Sequence, residues 1–187
     1  MLNILVLYYS KNGSTKNLAR LIARGIETVD GVQSVLRTVG SNDANDAADA
    51  IVEKSDLKSC SGLIIGSPTH FGNMAAPLKA FLDNTTAEWL NNTLTGKPAG
   101  VFTSTSSLHG GQESTLLSMM LPLLHHGMLI AGVPYDDVNL AHTKTGGTPY
   151  GPSHVSFDEV TEISDEEKAI CLSFGKRIAE LAKRISN

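Results

Sequence analysis

Three short segments of the sequence carry side chains suited to binding an anionic ligand that contains a flat ring. The first holds Ser10, Lys11, Asn12, Gly13, Ser14 and Thr15, the second Pro68, Thr69, His70, Phe71, Gly72 and Asn73, and the third Ser104, Thr105, Ser106, Ser107, Gly110 and Gly111. The first segment offers hydroxyl groups, an amide and backbone N–H groups ahead of a helix, which suit a phosphate. The other two combine small residues and main-chain polar groups with an aromatic ring, which suit a heteroaromatic ring.

The first segment lacks two common nucleotide-binding patterns. It is not GxxxxGK[ST], which binds nucleoside triphosphates, and it is not the GxGxxG of dinucleotide sites. A phosphomonoester is the better candidate ligand, and a flavin fits the other two segments. The alternative interpretation is a plain helix cap with Ser14 or Thr15 as the capping residue. Each of the other segments alone is typical of an ordinary turn, so the prediction depends on all three following strands at one edge of a sheet.

Alternating strand and helix patterns predict the framework that positions these segments. Apolar runs predict strands at residues 4–9, 62–68, 98–103 and 128–133, with a weaker strand at 34–39. Helical spacing predicts helices after residue 15, at 75–82, at 112–126 and after residue 164. The last helix has a capping box, Ser164 and Glu167, and a predicted buried stripe of Ile170, Phe174, Ile178, Leu181 and Ile185. The order predicts an α/β fold, a doubly wound five-stranded parallel sheet with about five helices, in a single domain over residues 1–187.

Two segments fall outside this minimal pattern. Residues 85–97 contain the only tryptophan, Trp89, and residues 134–157 are rich in Gly, Pro, Thr and His. Long insertions at loop positions usually serve binding or assembly. The first half of residues 41–56 is predicted to be a surface loop.

Composition excludes several classes of function. The 187 residues carry a formal net charge of -4 with only 15 Lys and Arg, which argues against a nucleic-acid partner. Cys60 and Cys171 have no zinc or CxxC spacing, so we expect two inert thiols, a reducing cytoplasm and no metal site. The apolar N-terminal run is too short to span a membrane and lacks a basic leader. The sequence shows no HExxH or GxSxG motif for hydrolytic chemistry.

Five motifs occur in an order that resembles one family. They are Leu7-Tyr8-Tyr9-Ser10 with Gly13, Pro68-Thr69-His70-Phe71-Gly72-Asn73-Met74, Gly110-Gly111-Gln112-Glu113, His125-His126-Gly127-Met128 and Gly146-Gly147-Thr148-Pro149-Tyr150-Gly151. Together they resemble the Trp-repressor-binding-protein (WrbA) family of flavoproteins, over residues 5–151. The resemblance implies a flavodoxin-like fold, one FMN per subunit, a homotetramer, and two-electron transfer from NADH or NADPH to a quinone.

The resemblance also implies roles for individual residues. Residues 10–15 would hold the FMN phosphate, and residues 68–73, 104–107 and 110–111 would line the ribityl chain and isoalloxazine. His125 occupies the position where the family has a flavin-site histidine. Trp89 occupies the position where the family has an aromatic wall of the substrate pocket. From the residues alone, His125 also fits a helix-end histidine that complements the dipole, and Trp89 fits a packing residue. Two residues depart from the family pattern. Some relatives have an aromatic residue at the position of Asn12, and an arginine is common at the position of His70.

The implied reaction is a ping-pong cycle in which the nicotinamide nucleotide and the quinone use one open pocket in turn. A rival hypothesis is a flavodoxin-type one-electron carrier that docks to partner proteins. Such carriers are commonly strongly acidic around the flavin, whereas this chain has a balance of only -4 and two insertions. A regulatory binding protein is a weaker alternative, because the sequence contains no DNA-reading element.

Overall fold

The computed structural model describes residues 1–40, 49–157 and 162–186. Its strands are β1 (Leu2–Tyr8), β2 (Val32–Thr38), β3 (Gly62–His70), β4 (Asn73–Met74), β5 (Pro98–Thr105), β6 (Leu129–Ile130) and β7 (Ser153–Val155). The order β2-β1-β3-β5-β6 forms a parallel sheet, while β4 pairs antiparallel with β3 and β7 pairs parallel with β5. The predicted doubly wound parallel sheet is confirmed, with β4 and β7 as additions to the five expected strands.

Helices cover both faces of this sheet. They are α1 (Ser14–Ile26), α2 (Lys54–Ser59), α3 (Ala76–Asp83), α4 (Thr86–Leu90), α5 (Gln112–His125), α6 (Val138–His142) and α7 (Asp165–Ser186). Side chains of β1 alternate between two buried layers, with Ile4 and Val6 facing α1 and α7, and Leu5 and Leu7 facing α3 and α5. A strand buried on both faces needs a continuous apolar run, which is why β1 could be predicted from the sequence.

Glycines let α1 and α7 approach closely on one face. A Cβ on Gly25 would lie 2.1 Å from the carbonyl oxygen of Leu172, and a Cβ on Gly175 would lie 2.1 Å from that of Ile22. Each helix therefore presents a glycine to the backbone of the other. The arrangement fixes α1, whose N-terminus faces the carboxyl edge of the sheet.

The fifth position of the sheet is divided between two short strands. β6 pairs with the start of β5 through Leu129 and Ile130, so the strand predicted at 128–133 is much shorter than expected. β7 pairs with the end of β5, Ser104 opposite His154, and was not predicted. The segment 134–157 leaves the sheet between these strands, forms α6, and returns to complete the carboxyl edge.

Several other expectations need correction. The short helices α2, α4 and α6 were not predicted, and β3 continues two residues past Pro68. In α7, Ile170, Phe174 and Ile178 are buried as expected, but Leu181 is only partly buried and Ile185 is exposed. Ala179 and Ala182 take the buried positions instead. The loop predicted for the first half of 41–56 lies outside the described residues.

Within the described residues, no helix is both long enough and apolar enough to cross a membrane. Cys60 and Cys171 are both free and buried. Burial raises the pKa of each thiol, with the larger effect at Cys171. Neither sulfur is therefore an available thiolate at neutral pH.

Candidate functional site

A cavity of about 420 Å³ opens at the carboxyl edge of the sheet, where β1, β3 and β5 end. It is lined by Ser10, Lys11, Asn12, Ser14, Thr15, Pro68, Thr69, His70, Ser104, Thr105, Ser106, Ser156 and Phe157. The three predicted segments therefore meet in one place, as expected from parallel strands whose carboxyl ends share an edge. Ser156 and Phe157 were not among the predicted site residues.

The first segment leaves the N-terminus of α1 open to the cavity. Gly13 is the N-cap residue and has a φ of 89°, so the alternative interpretation, a helix cap by Ser14 or Thr15, is wrong. The backbone N–H of Gly13 donates to Ser10 Oγ at 3.1 Å, which closes the turn before the helix. Since Gly13 has no side chain to cap the first turn, the backbone N–H groups of Ser14 and Thr15 are available to an anion.

Hydroxyl groups fix the other walls of the cavity. Thr15 Oγ1 lies 2.8 Å from Ser104 Oγ, which joins the first segment to the third. Thr115 Oγ1 donates to Thr69 Oγ1 at 3.1 Å, and Thr69 Oγ1 lies 3.3 Å from Thr103 Oγ1. These hydrogen bonds link α1, α5, β3 and β5, so the ends of the strands form a preorganised surface.

The second segment is a tight hairpin between β3 and β4. Phe71 and Gly72 occupy its turn with φ values of 52° and 74°, the left-handed conformation of a type I′ turn. Phe71 is fully exposed at the tip and does not line the cavity. Asn73 Oδ1 accepts a hydrogen bond from the backbone N–H of Met74 at 2.8 Å. The hairpin presents a bare aromatic ring beside the cavity, although keeping Phe71 left-handed costs about 1 kcal/mol or more.

The predicted glycines of the second and third segments bring the loops together. A Cβ on Gly111 would lie 2.9 Å from the Cα of Gly72, and a Cβ on Gly110 would lie 2.3 Å from Ser107 Oγ. Gly111 also has a φ of 99°. Gly72, Gly110, Gly111 and the exposed Ser107 are not among the residues that line the cavity. Gly111 therefore allows the close approach of the two loops, whereas Gly110 allows the third segment to fold back against its own Ser107.

Ser156 and Phe157 reach the cavity because β7 and α7 are joined by a buried carboxylate. Glu167 Oε2 accepts hydrogen bonds from His154 Nδ1 at 3.0 Å and from the backbone N–H of Ser164 at 2.8 Å. Its Oε1 accepts from the backbone N–H of Gly146 at 2.7 Å. Burial acts to raise the pKa of Glu167, but these hydrogen bonds outweigh it and hold the pKa below its ordinary value.

The predicted capping box is half of this arrangement. Ser164 Oγ accepts from the backbone N–H of Glu167 at 3.2 Å, so the box forms as expected. The carboxylate of Glu167 also accepts hydrogen bonds from Gly146 and His154 in the 134–157 insertion. The sequence did not indicate these contacts. The capping residue Glu167 and its buried partner His154 therefore fix one wall of the site together.

His125 and Trp89 do not reach this cavity. They line a separate cleft of about 420 Å³, together with Lys79, Leu82, Asp83, Thr85, Thr86, Pro122 and His126. His125 is exposed at the end of α5, and Trp89 is half exposed on α4. The two predicted residues are therefore neighbours of each other, but within one chain they are not neighbours of the three segments.

His126 is the buried member of the histidine pair. Thr85 Oγ1 donates to the carbonyl of Leu82, so it accepts from His126 Nε2 at 2.8 Å. Burial lowers the pKa of His126 despite the opposing charge of Glu88, so the ring is neutral at neutral pH. The neutral tautomer carries its proton on Nε2.

The cavity fits a flavin mononucleotide. Its volume is that of a small-molecule pocket, and an uncapped helix N-terminus with three nearby hydroxyl groups opens into it. Ser10, Ser14 and Thr15 can donate to a phosphate, and Lys11 supplies a cation at the rim. Pro68, Thr69 and Ser106 offer small side chains and main-chain polar groups for the rest of the molecule.

The order β2-β1-β3-β5-β6, with this site where β1 and β3 diverge, defines the flavodoxin-like class of α/β proteins. A family model described as NADPH-dependent FMN reductase matches residues 2–135. The chain belongs to that family. The prediction of an FMN-dependent oxidoreductase family is confirmed.

Full-length relatives agree with this assignment. The chain is 38% identical to a protein of Chromohalobacter salexigens named NAD(P)H dehydrogenase (quinone), over all of both chains. It is 34% identical to a protein of Solidesulfovibrio magneticus with the same name, over 98% of this chain and 99% of the other. Among solved structures, a WrbA-like flavodoxin from Agrobacterium tumefaciens matches with a TM-score of 0.73 and 25% identity, over 98% of this chain and 99% of the other.

Proposed function

We propose that this protein is an NAD(P)H:quinone oxidoreductase that binds FMN in the cavity at the ends of β1, β3 and β5. The observation that carries the proposal is the uncapped N-terminus of α1, which opens onto that cavity beside three hydroxyl groups. Bound FMN would supply the chemistry, by accepting a hydride from NADH or NADPH and passing two electrons to a quinone. Relatives over the full chain carry the name of this activity.

The residues would share three tasks. Ser10, Lys11, Asn12, Gly13, Ser14 and Thr15 would bind the phosphate through hydroxyl, amide and backbone N–H groups. Pro68, Thr69 and His70, with Ser104, Thr105 and Ser106, would border the ribityl chain and the ring. Phe71 at the hairpin tip would offer an aromatic face to the ring or to an incoming substrate. Gly72, Asn73, Ser107, Gly110 and Gly111 would hold these loops in place.

His125 and Trp89 would complete the site of a neighbouring subunit. The cleft that they line is bordered by an exposed apolar strip on α5, Leu117, Leu121 and Leu124, and by Leu90 on α4. Exposed apolar patches of this kind mark interaction surfaces. Burial of the strip against further copies of this chain would form the homotetramer. It would also bring the histidine and the tryptophan to a flavin pocket, where a polar donor and an aromatic wall suit a quinone.

The decisive experiment is anaerobic reduction of the FMN-loaded protein. NADH and then NADPH are added while the visible flavin absorbance is followed, and benzoquinone is added last. Bleaching that recovers on addition of quinone supports the proposal and identifies the preferred donor. Bound flavin that neither nucleotide bleaches would instead identify a one-electron carrier, and failure to bind FMN would refute the site.

Initial-rate kinetics test the shared pocket. A ping-pong cycle predicts parallel lines in double-reciprocal plots when nucleotide and quinone concentrations are varied, because one product leaves before the second substrate enters.

Light scattering after size exclusion tests the tetramer. A location in the cytoplasm agrees with two free buried thiols, and cell fractionation tests it.

A further inference from the structure

A second cleft of about 660 Å³ adjoins the FMN cavity along α1. It is lined by Asn12, Ser14, Asn17, Arg20, Leu21 and Arg24 on one side, and by His154, Glu162, Ile163 and Lys168 on the other. The α1 residues share one face of the helix, which extends about 15 Å between Ser14 and Arg24. None of the residues beyond Ser14 has a task in the proposed FMN site.

The two cavities adjoin each other at the phosphate position. Asn12 and Ser14 line both of them, and both residues belong to the segment proposed to bind the FMN phosphate. A group attached to that phosphate on the side away from the flavin would therefore extend towards the second cleft. FMN itself ends at the phosphate and leaves this cleft unused.

The charges in the cleft favour an anion. Within the described residues, the side chains of Arg20 and Arg24 make no hydrogen bond or ion pair. The two cations are one helical turn apart and repel each other, which an anion between them would relieve. Lys168 faces them and is already paired, at 3.2 Å to Asp165 and 3.6 Å to Glu162. The unpaired arginines are therefore the strongest attraction for phosphate.

The remaining lining residues suit an adenosine group. Leu21 and Ile163 provide apolar side chains, and a planar guanidinium of Arg20 or Arg24 can stack on a purine. The amide of Asn17 offers both a donor and acceptors to the edge of the base. An adenosine phosphate therefore matches both the charges and the apolar part of the cleft.

We infer that this cleft binds the adenylate half of FAD, so that the protein takes FAD as well as FMN at the same flavin site. The inference rests on the proposed FMN site, because the flavin half must occupy the first cavity. The adenylate of a nicotinamide nucleotide carries the same chemistry. However, its nicotinamide must lie at the flavin ring, whereas this cleft begins at the phosphate end.

The test compares FMN and FAD affinities of the full chain stripped of flavin, by isothermal titration calorimetry. Arg20→Gln/Arg24→Gln is expected to weaken FAD binding about tenfold and to change FMN binding less than about twofold. The matched control is Lys176→Gln/Arg177→Gln, which removes the same charge from the exposed face of α7 and should alter neither affinity. Asn17→Trp fills the cleft from an exposed position and should also weaken FAD alone.

Two results would overturn the inference. One is that FAD affinity is unchanged in both cleft variants, and the other is that FMN and FAD affinities fall equally. A higher KM for NADPH in FMN-loaded Arg20→Gln/Arg24→Gln, with FAD affinity unchanged, would assign the cleft to the nucleotide instead. Failure of the unmodified protein to bind FMN would refute the proposed function itself, which is a separate outcome.

Discussion

Glu167→Gln is expected to destabilise the protein because Glu167 joins α7 to the 134–157 insertion. The side chain is only 1% exposed and accepts hydrogen bonds from His154 and from two backbone N–H groups, those of Gly146 and Ser164. Glutamine has nearly the same shape but only one acceptor oxygen. Its amide nitrogen would face at least one of these donors.

The expected cost is about 1–3 kcal/mol in free energy of unfolding, the range for leaving a buried hydrogen-bond donor without its partner. The effect should depend on pH. The pKa of Glu167 is lowered in the folded state, so the carboxylate stabilises the fold above its unfolded pKa, 4.5, and this contribution is lost as pH falls through the folded value. The difference between the two proteins should therefore be largest near neutral pH and should shrink on acidification below about 4.5.

Urea unfolding followed by circular dichroism at pH 7 measures the difference. Glu166→Gln is the matched control, because it removes a neighbouring charge from the first turn of α7 and is expected to cost about 0.3–1 kcal/mol. FMN affinity should fall in Glu167→Gln alone, since Ser156 and Phe157 are held at the cavity by β7. Equal stability losses in the two variants, or a loss that does not depend on pH, would refute the reasoning.

Three further changes test other parts of the structure. Gly111→Ala should lower stability by about 1–3 kcal/mol and weaken FMN binding, because its φ of 99° and its contact with the neighbouring loop exclude a Cβ; thermal unfolding and FMN titration measure both. Thr15→Val should cost about 1–3 kcal/mol, because it removes the hydroxyl partner of buried Ser104, and urea unfolding with and without FMN checks this. Leu121→Glu should reduce the mass found by light scattering, whereas Ile185→Glu, at similar exposure on α7, should leave it unchanged.

The central strands could be predicted because burial on both faces determines which residue types their sequences contain. β1, β3 and β5 are buried on both faces, so each is a continuous apolar run followed by turn-forming residues. The same logic placed the three segments at one edge of the sheet. That edge does contain a cavity, and eleven of the predicted site residues line it, from Ser10 to Ser106.

β7 could not be predicted because its burial depends on a distant partner. Ser153-His154-Val155 is a short, mostly polar sequence without strand periodicity, and the hydrogen bond to the carboxylate of Glu167 makes burial of His154 favourable. Ser156 and Phe157 were missed for the same reason. The alternative of a cap by Ser14 or Thr15 was wrong because α1 begins after Gly13. The hydroxyl of Thr15 is directed to Ser104 instead, so a tertiary contact replaced the local one.

The parallel pairing of β5 with β7 also affects how the protein folds. Thr103 pairs with Ser153, a separation of fifty residues, and a contact of this kind forms slowly because a long loop must first close. The phosphate segment at α1, by contrast, needs only a local turn and the neighbouring strands. We therefore expect the phosphate end of the site to form before the wall that contains Phe157. A chain in which the insertion has not yet docked would have an anion site but no enclosed flavin pocket.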